Sequence, residues 1–129
     1  MSRKQGWISF AVVLLLLSQL IGAWAEQQTP QDQLKLAGEL YQKGNYQQVV
    51  DQCSQLLGAD GKLAGAYTQR ARAYYSLGKY DLAIADCTQA VAADSSQARG
   101  YVVQGMACNA AGKPEDAKAA FDLAIAAAT

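Results

Sequence analysis

The stretch GKYDLAIAD, at Gly78–Asp86, recurs in related form 34 residues before and 34 residues after its own position. The upstream copy is GNYQQVVD at Gly44–Asp51, and the downstream copy is GKPEDAKA at Gly112–Ala119. Three tandem units of one length, without insertions, are typical of a stacked repeat array. The sequence therefore predicts three copies of one supersecondary unit.

The 34-residue register also aligns residues outside these stretches. A column of small residues reads Ala37, Ala71 and Gly105. Small residues at one level of a helix allow a neighbouring helix to approach closely. We therefore expect the two helices of each unit to pack closely at this level.

Each unit contains two apolar patterns with helical spacing, separated by a glycine. Before the first pattern, Thr29 and Pro30 suit the N-cap and the first helical position. Gly44 predicts the end of that helix, because glycine accepts the left-handed conformation found just after a helix. Asn45 is the predicted cap of the next helix. No strand-like alternation is present, so we predict an all-α fold.

Residues 1–25 have the pattern of a secretory signal peptide. Arg3 and Lys4 precede an apolar run, and small residues at Ala23 and Ala25 suit a signal peptidase. We expect cleavage between Ala25 and Glu26, which places the protein in the bacterial periplasm or outside the cell, with no membrane attachment afterwards. The alternative is an uncleaved signal anchor that tethers the protein to the membrane, because the apolar run is nearly long enough to span a bilayer.

The composition of the remaining 104 residues argues against several functions. Without Arg3 and Lys4, nine basic residues remain against 11 acidic ones, a net charge of −2, which gives no basic footprint for nucleic acid. The chain has no histidine, the commonest metal ligand and general base. Its three cysteines are not spaced like zinc ligands. We therefore expect no catalytic residues, no cofactor and no metal.

The segment Ala66–Tyr75, followed by Gly78–Tyr80 and Ala83–Ile84, resembles the tetratricopeptide repeat (TPR) family. The resemblance covers Pro30–Thr129 and implies a short right-handed α-solenoid of TPR-like helix–turn–helix repeats. It divides the chain into a lead at residues 26–29 and repeats at residues 30–63, 64–97 and 98–129.

The resemblance also implies a concave groove, lined by the first helix of each unit, that binds a peptide or a protein segment. The groove residues would be Leu34, Tyr41, Thr68, Arg72, Tyr75, Arg99, Val102, Met106 and Asn109. Family members that grip a C-terminal carboxylate carry Lys and Asn at the places of Leu34 and Gly38, so this resemblance does not extend to that clamp.

These observations favour an exported, non-catalytic scaffold or adaptor that binds a protein partner. Two alternatives stay open. The first is a structural self-assembly module, a homo-oligomer formed through the C-terminal helix, where Phe121 and Ile125 lack a following repeat to cover them. The second is an accessory subunit of a cell-envelope enzyme or a secretion complex.

Two internal contacts are also predicted from the repeat register. Arg70 and Asp86 occur together only in the middle unit, which indicates a structural ion pair across its helical hairpin. Cys87 on the second unit and Cys108 on the third are expected to face each other, so a disulfide in this protein would join them.

Overall fold

The computed structural model describes residues 9–20 and 29–129 of the chain. Residues 9–20 form helix α1. The other helices are α2 (Pro30–Gln42), α3 (Tyr46–Ala59), α4 (Ala64–Ser76), α5 (Tyr80–Ala93), α6 (Ala98–Ala110) and α7 (Pro114–Ala128). The described residues contain no strand, and the all-α prediction is confirmed.

Helix α1 carries apolar side chains that are exposed along its whole length. Within residues 9–20 and 29–129, no helix is both long enough and apolar enough to cross a membrane. The predicted cleavage site between Ala25 and Glu26 lies outside the described residues.

The helices from α2 onward keep the 34-residue period. The first helix of each unit begins at Pro30, Ala64 and Ala98. The second helix begins at Tyr46, Tyr80 and Pro114. The second and third units pack through consecutive helices, and α4 also contacts α6, so the first helices of these two units lie side by side.

Each unit turns between its two helices in the same way. Gly44, Gly78 and Gly112 have φ angles of 80°, 77° and 78°, the left-handed region that favours glycine. In the first turn the N–H of Gly44 donates to the carbonyl of Tyr41 (3.0 Å), and the N–H of Asn45 donates to the carbonyl of Leu40 (2.9 Å). This pair of bonds is a Schellman motif, and both later turns repeat it.

Of the two predicted helix caps, the one at Thr29 is confirmed and the one at Asn45 is not. At the start of α2 the N–H of Asp32 donates to the Thr29 hydroxyl (3.2 Å), and the N–H of Thr29 donates to the Asp32 carboxylate (3.3 Å). This reciprocal arrangement confirms the predicted N-cap. The predicted side-chain cap at Asn45 is wrong, because its amide makes no capping bond. The Schellman turn fixes the backbone at Asn45 without help from its side chain.

The small-residue column lies where the two helices of each unit meet. Ala37 and Ala71 are fully buried, and each belongs to a core cluster that includes a cysteine of its own unit, Cys53 and Cys87 respectively. In the third unit, a Cβ placed on Gly105 would lie only 2.6 to 2.8 Å from three ring atoms of Phe121.

The third unit therefore forms the same close contact between its two helices with different side chains. Phe121 occupies the place that Cys53 and Cys87 hold in the earlier units. Its larger ring lies against Gly105, where those units have alanine. Glycine removes the methyl group that would collide with the ring, so the close approach of the two helices is preserved.

The predicted Cys87–Cys108 disulfide is absent. The structure has free thiols at Cys53, Cys87 and Cys108, all of them buried. Cys87 packs into a closed cluster with Ala71 and Val103. Burial is the main cause that raises the pKa of Cys53 to about 11 and the pKa of Cys87 to about 12. Because the thiolate is the species that forms disulfides, burial disfavours the reactive form of Cys87.

We predict opposite effects of Gly105→Ala in two backgrounds. In the natural chain the new methyl group displaces the Phe121 ring, and the free energy of unfolding falls by about 1 kcal/mol despite the better helix propensity of alanine. With Phe121→Cys, which copies the earlier units, Gly105→Ala raises the free energy of unfolding by about 1 kcal/mol. Urea unfolding of the four proteins measures both effects. Effects of the same sign in both backgrounds would contradict this account of the column.

Candidate functional site

A cavity of about 300 Å³ opens along the first helices of the three units. It is bordered by α2 through Tyr41, by α4 through Arg72 and Tyr75, and by four residues of α6. Those four residues are Arg99, Val102, Val103 and Met106. The lining combines two aromatic rings, two guanidinium groups and three apolar side chains. None of the described residues that border the cavity is acidic.

Tyr41 and Arg72 form one wall of this groove. The Arg72 guanidinium carbon lies 4.1 Å from the centre of the Tyr41 ring, a close cation–π contact. The Arg72 Nη1 atom also donates to the Gln69 side-chain carbonyl at 3.0 Å. The Tyr41 hydroxyl is within hydrogen-bonding distance of the Ser76 hydroxyl, at 2.9 Å. This wall is therefore ordered before any ligand arrives, which reduces the entropic cost of binding.

Tyrosine pairs buttress the groove at two of the turns. Tyr41 packs against Tyr46 with a centroid separation of 5.1 Å, and Tyr75 packs against Tyr80 with a separation of 5.7 Å. The two pairs are 34 residues apart and bracket Gly44 and Gly78. Tilted rings at these distances attract each other. The sequence contained this repeated Tyr–turn–Tyr pattern, which was not predicted as part of the site.

The structure brings together six of the nine predicted groove residues. These are Tyr41, Arg72, Tyr75, Arg99, Val102 and Met106. Val103, which also belongs to the core, lines the cavity but was not predicted to do so. Nothing in the sequence distinguishes Val103, which belongs to both core and groove, from its neighbour Val102, which belongs to the groove.

The other three predicted residues do not line the cavity. Thr68 is only 3% exposed, and its hydroxyl donates to the Ala64 carbonyl at 3.1 Å, so its assignment to the groove is wrong. Leu34 packs towards α4, with its Cδ1 atom 3.1 Å from the place of a Cβ on Gly65. Asn109 is exposed near the end of α6 and lies outside the cavity lining.

Arg70 and Asp86 form a bidentate ion pair inside the middle unit. Nε and Nη2 of Arg70 donate to the two Asp86 carboxylate oxygens, each at 2.7 Å. Nη1 donates to the hydroxyl of Ser54 on α3, which ties the pair to the first unit. The ring centres of Tyr67 and Tyr74 lie 5.8 Å and 5.9 Å from the Arg70 guanidinium carbon. The hydrogen bonds to Asp86 raise the pKa of Arg70 further above its ordinary value.

The outer face of α7 is open. Phe121 is 37% exposed although its ring lies against Gly105, and Ile125 is 65% exposed. Leu123, which was not predicted for this face, is also exposed. The equivalents of Phe121 in the earlier units, Cys53 and Cys87, are fully buried.

The described residues do not contain a cluster of three or more cysteine or acidic side chains placed to hold a metal ion. Among the described residues that line the groove there is neither a nucleophile paired with a base nor a set of carboxylates. Its chemistry is that of a binding surface, with aromatic and apolar contacts beside two cations.

Comparison with known proteins agrees with this geometry. The profile of the family described as Tetratricopeptide repeat matches residues 64–97, the middle unit. The chain is a TPR-like helical repeat array. Comparison with curated proteins gives no match.

Solved structures with this fold include several TPR domains. The second TPR of Spaghetti (RPAP3), bound to an HSP90 peptide, has 28% identity and a TM-score of 0.72, with 81% of this chain and 97% of that chain covered. The first TPR domain of human RPAP3 has 27% identity and a TM-score of 0.74, with coverages of 78% and 79%. The SycD secretion chaperone of Yersinia enterocolitica, in complex with a YopD peptide, has the same fold at 21% identity, a TM-score of 0.72, and coverages of 78% and 77%.

We predict that the Arg70–Asp86 pair can be exchanged for the pair of the first unit, Leu36 and Gln52. Arg70→Leu alone leaves the Asp86 carboxylate buried without its partner, which lowers the free energy of unfolding by about 3 kcal/mol. Adding Asp86→Gln removes the unpaired charge and recovers most of this loss. In the first unit Gln52 donates to the backbone of Gln33 at 3.2 Å, and the equivalent acceptor is the Tyr67 carbonyl.

Thermal and urea unfolding of the two single variants and the double variant test this exchange. A double variant as unstable as Arg70→Leu would show that the ion pair has a role that packing cannot replace.

Proposed function

We propose that this protein is an exported, non-catalytic scaffold that binds an extended segment of a partner protein in the groove of its TPR-like array. The observation that carries the proposal is the cavity lined by Tyr41, Arg72, Tyr75, Val102 and Met106. Tyrosine and arginine are enriched at the energetic centres of protein interfaces, and methionine adapts to irregular apolar partners.

The solved structures with this fold support a peptide as the ligand. The two TPR domains of Spaghetti (RPAP3) were each solved with the HSP90 peptide SRMEEVD, and the second domain of human RPAP3 with an HSP70 peptide. Each of these domains is 28% identical to this chain. The groove here differs from a carboxylate clamp in carrying Leu34 and Gly38 on its first helix, so we do not transfer the chaperone peptides as ligands.

We predict that peptides selected for binding this protein depend on the groove. A random peptide library displayed on phage is selected on the purified protein, and the affinities of synthetic copies are measured by fluorescence anisotropy. Tyr75→Ala combined with Met106→Ala removes two walls of the cavity and weakens binding at least about tenfold, which corresponds to about 1.4 kcal/mol. Leu123→Ala, a truncation of an exposed apolar side chain on α7, leaves binding unchanged.

Circular dichroism of each variant establishes that the helical array is intact. If the selected peptides bind the groove variant and the natural protein equally, the groove is not the binding site and the proposed function fails.

Export is proposed from the N-terminal sequence. The basic residues Arg3 and Lys4, the apolar run after them and the small residues at Ala23 and Ala25 fit the three regions of a signal peptide. The helical, apolar and exposed residues 9–20 suit the central region of such a peptide. A binding scaffold in that compartment would serve a partner of the cell envelope or a secreted protein.

We predict that the mature protein begins at Glu26. Expression of the full chain in a bacterial host, followed by fractionation and N-terminal sequencing of the periplasmic protein, reads Glu26 as the first residue. Ala25→Leu removes the small side chain at the cleavage site, so uncleaved protein accumulates at the membrane. Recovery of the intact chain from the cytosol would contradict export, and this outcome leaves the groove test unaffected.

A further inference from the structure

We propose that Arg99 selects an acidic residue in the bound segment, with an apolar side chain about two positions away seated on Val102 and Met106. This inference rests on the proposed function, because it names the chemistry of the segment that the groove binds. The recognised carboxylate belongs to a side chain, so the segment does not need a free C-terminus.

The charges of the groove helices support an anionic partner. Two of the three groove helices, α4 and α6, contain Arg70, Arg72 and Arg99 but no acidic residue, whereas α2 contains Asp32, Lys35 and Glu39. The described acidic residues lie on α2, on the second helices and in the loops, although the chain after Ala25 has a net charge of −2. A groove that is positive on a protein of negative net charge favours a partner that carries carboxylates at this face.

The three arginines are not equally available to a ligand. Arg70 is occupied by Asp86 in the bidentate pair. Arg72 is stacked on Tyr41 and bonded to Gln69, so it serves mainly as a wall. Arg99 is exposed on the cavity rim and forms no ion pair or hydrogen bond with another described residue through its side chain. Among the three arginines of α4 and α6, Arg99 is therefore the one whose donors are free for a carboxylate.

The register of α6 sets the distance between the two recognised side chains. Arg99, Val102 and Met106 lie at i, i+3 and i+7, which places them along one face of the helix. The middle of the Val102–Met106 surface is about 7.5 Å along the helix axis from Arg99, at about 1.5 Å per residue. In an extended peptide, side chains two positions apart lie on the same face and about 6.6 Å apart. An acidic residue and an apolar residue separated by one position match this spacing.

We expect a modest contribution from Arg99, because an exposed ion pair gains little in water. Its effect should appear as specificity and as dependence on salt, while the apolar surface supplies most of the affinity. The test must therefore compare matched peptides and not rely on affinity alone.

The first experiment compares phage libraries selected on the natural protein and on Arg99→Gln. We expect the natural protein to enrich Asp or Glu two positions from Leu, Ile, Met or Phe, and the variant to lose the acidic preference while keeping the apolar one. Lys118→Gln, which removes an exposed cation on α7, is the matched control and keeps the full preference.

The second experiment uses a peptide with the core Leu-Ser-Asp in a glycine–serine background, acetylated and amidated at its ends. We expect replacement of its aspartate by asparagine to weaken binding to the natural protein by about threefold at low salt and less at high salt. Arg99→Gln should bind both peptides equally. Arg99→Glu should prefer a peptide with lysine at that position.

The outcomes separate this inference from the proposed function. If groove-dependent peptides are selected without acidic enrichment, or if the aspartate and asparagine peptides bind the natural protein equally, the role of Arg99 is overturned and the groove function stands. If the amidated aspartate peptide does not bind the natural protein, whereas the same peptide with a free C-terminus does, recognition of an internal side chain is overturned. If no selected peptide depends on the groove, the proposed function itself fails.

Discussion

The close approach of the two helices within each unit is the constraint on which this structure depends. It is possible only because the contact level carries Ala37, Ala71 and Gly105, whose side chains add little or no bulk. Gly105 shows how strict the constraint is, because even one methyl group would collide with the Phe121 ring. Close-packed interiors transmit such volume changes directly to neighbouring side chains.

The repeated turn makes this close approach possible three times in succession. Gly44, Gly78 and Gly112 reverse the chain with the same left-handed geometry and the same pair of backbone hydrogen bonds. Equivalent side chains therefore return to equivalent places in each unit. A solenoid gains its stability from contacts between neighbouring units, so this regularity is an energetic requirement as well as a geometric one.

Stacking also determines which side chains remain available for function. On α4, Arg70 turns towards Asp86 and Ser54, where it links the first two units and is lost to the groove. Arg72, two residues later, points to the other side and stacks on Tyr41. Two nearby residues of one helix thus have different roles, because Arg70 stabilises the array and Arg72 lines the groove. The groove keeps a positive charge because Arg72 and Arg99, and not the paired Arg70, border it.

Gly78–Asp86 and its two copies were sufficient to predict the fold, because a repeated turn and a repeated small-residue column restrict each unit to one kind of helical hairpin. The same register predicted which two residues, Arg70 and Asp86, the structure brings together. These features depend on spacing along the chain, and spacing is fully visible in a sequence.

The predictions that failed depend on the direction of a side chain and on whether neighbouring groups already occupy it. Thr68 shares a column with the groove residue Val102, yet it is buried and bonded to its own helix. Cys87 lies near the third unit but packs into a closed cluster with Ala71 and Val103. Asn45 stands at the start of α3, where its N–H belongs to the glycine turn and its side chain makes no capping bond. The sequence alone determined the repeat, the turns and the close helix contacts. Only the tertiary structure decided which side of a packed helix each side chain faces, because a small rotation of the helix moves a residue from groove to core.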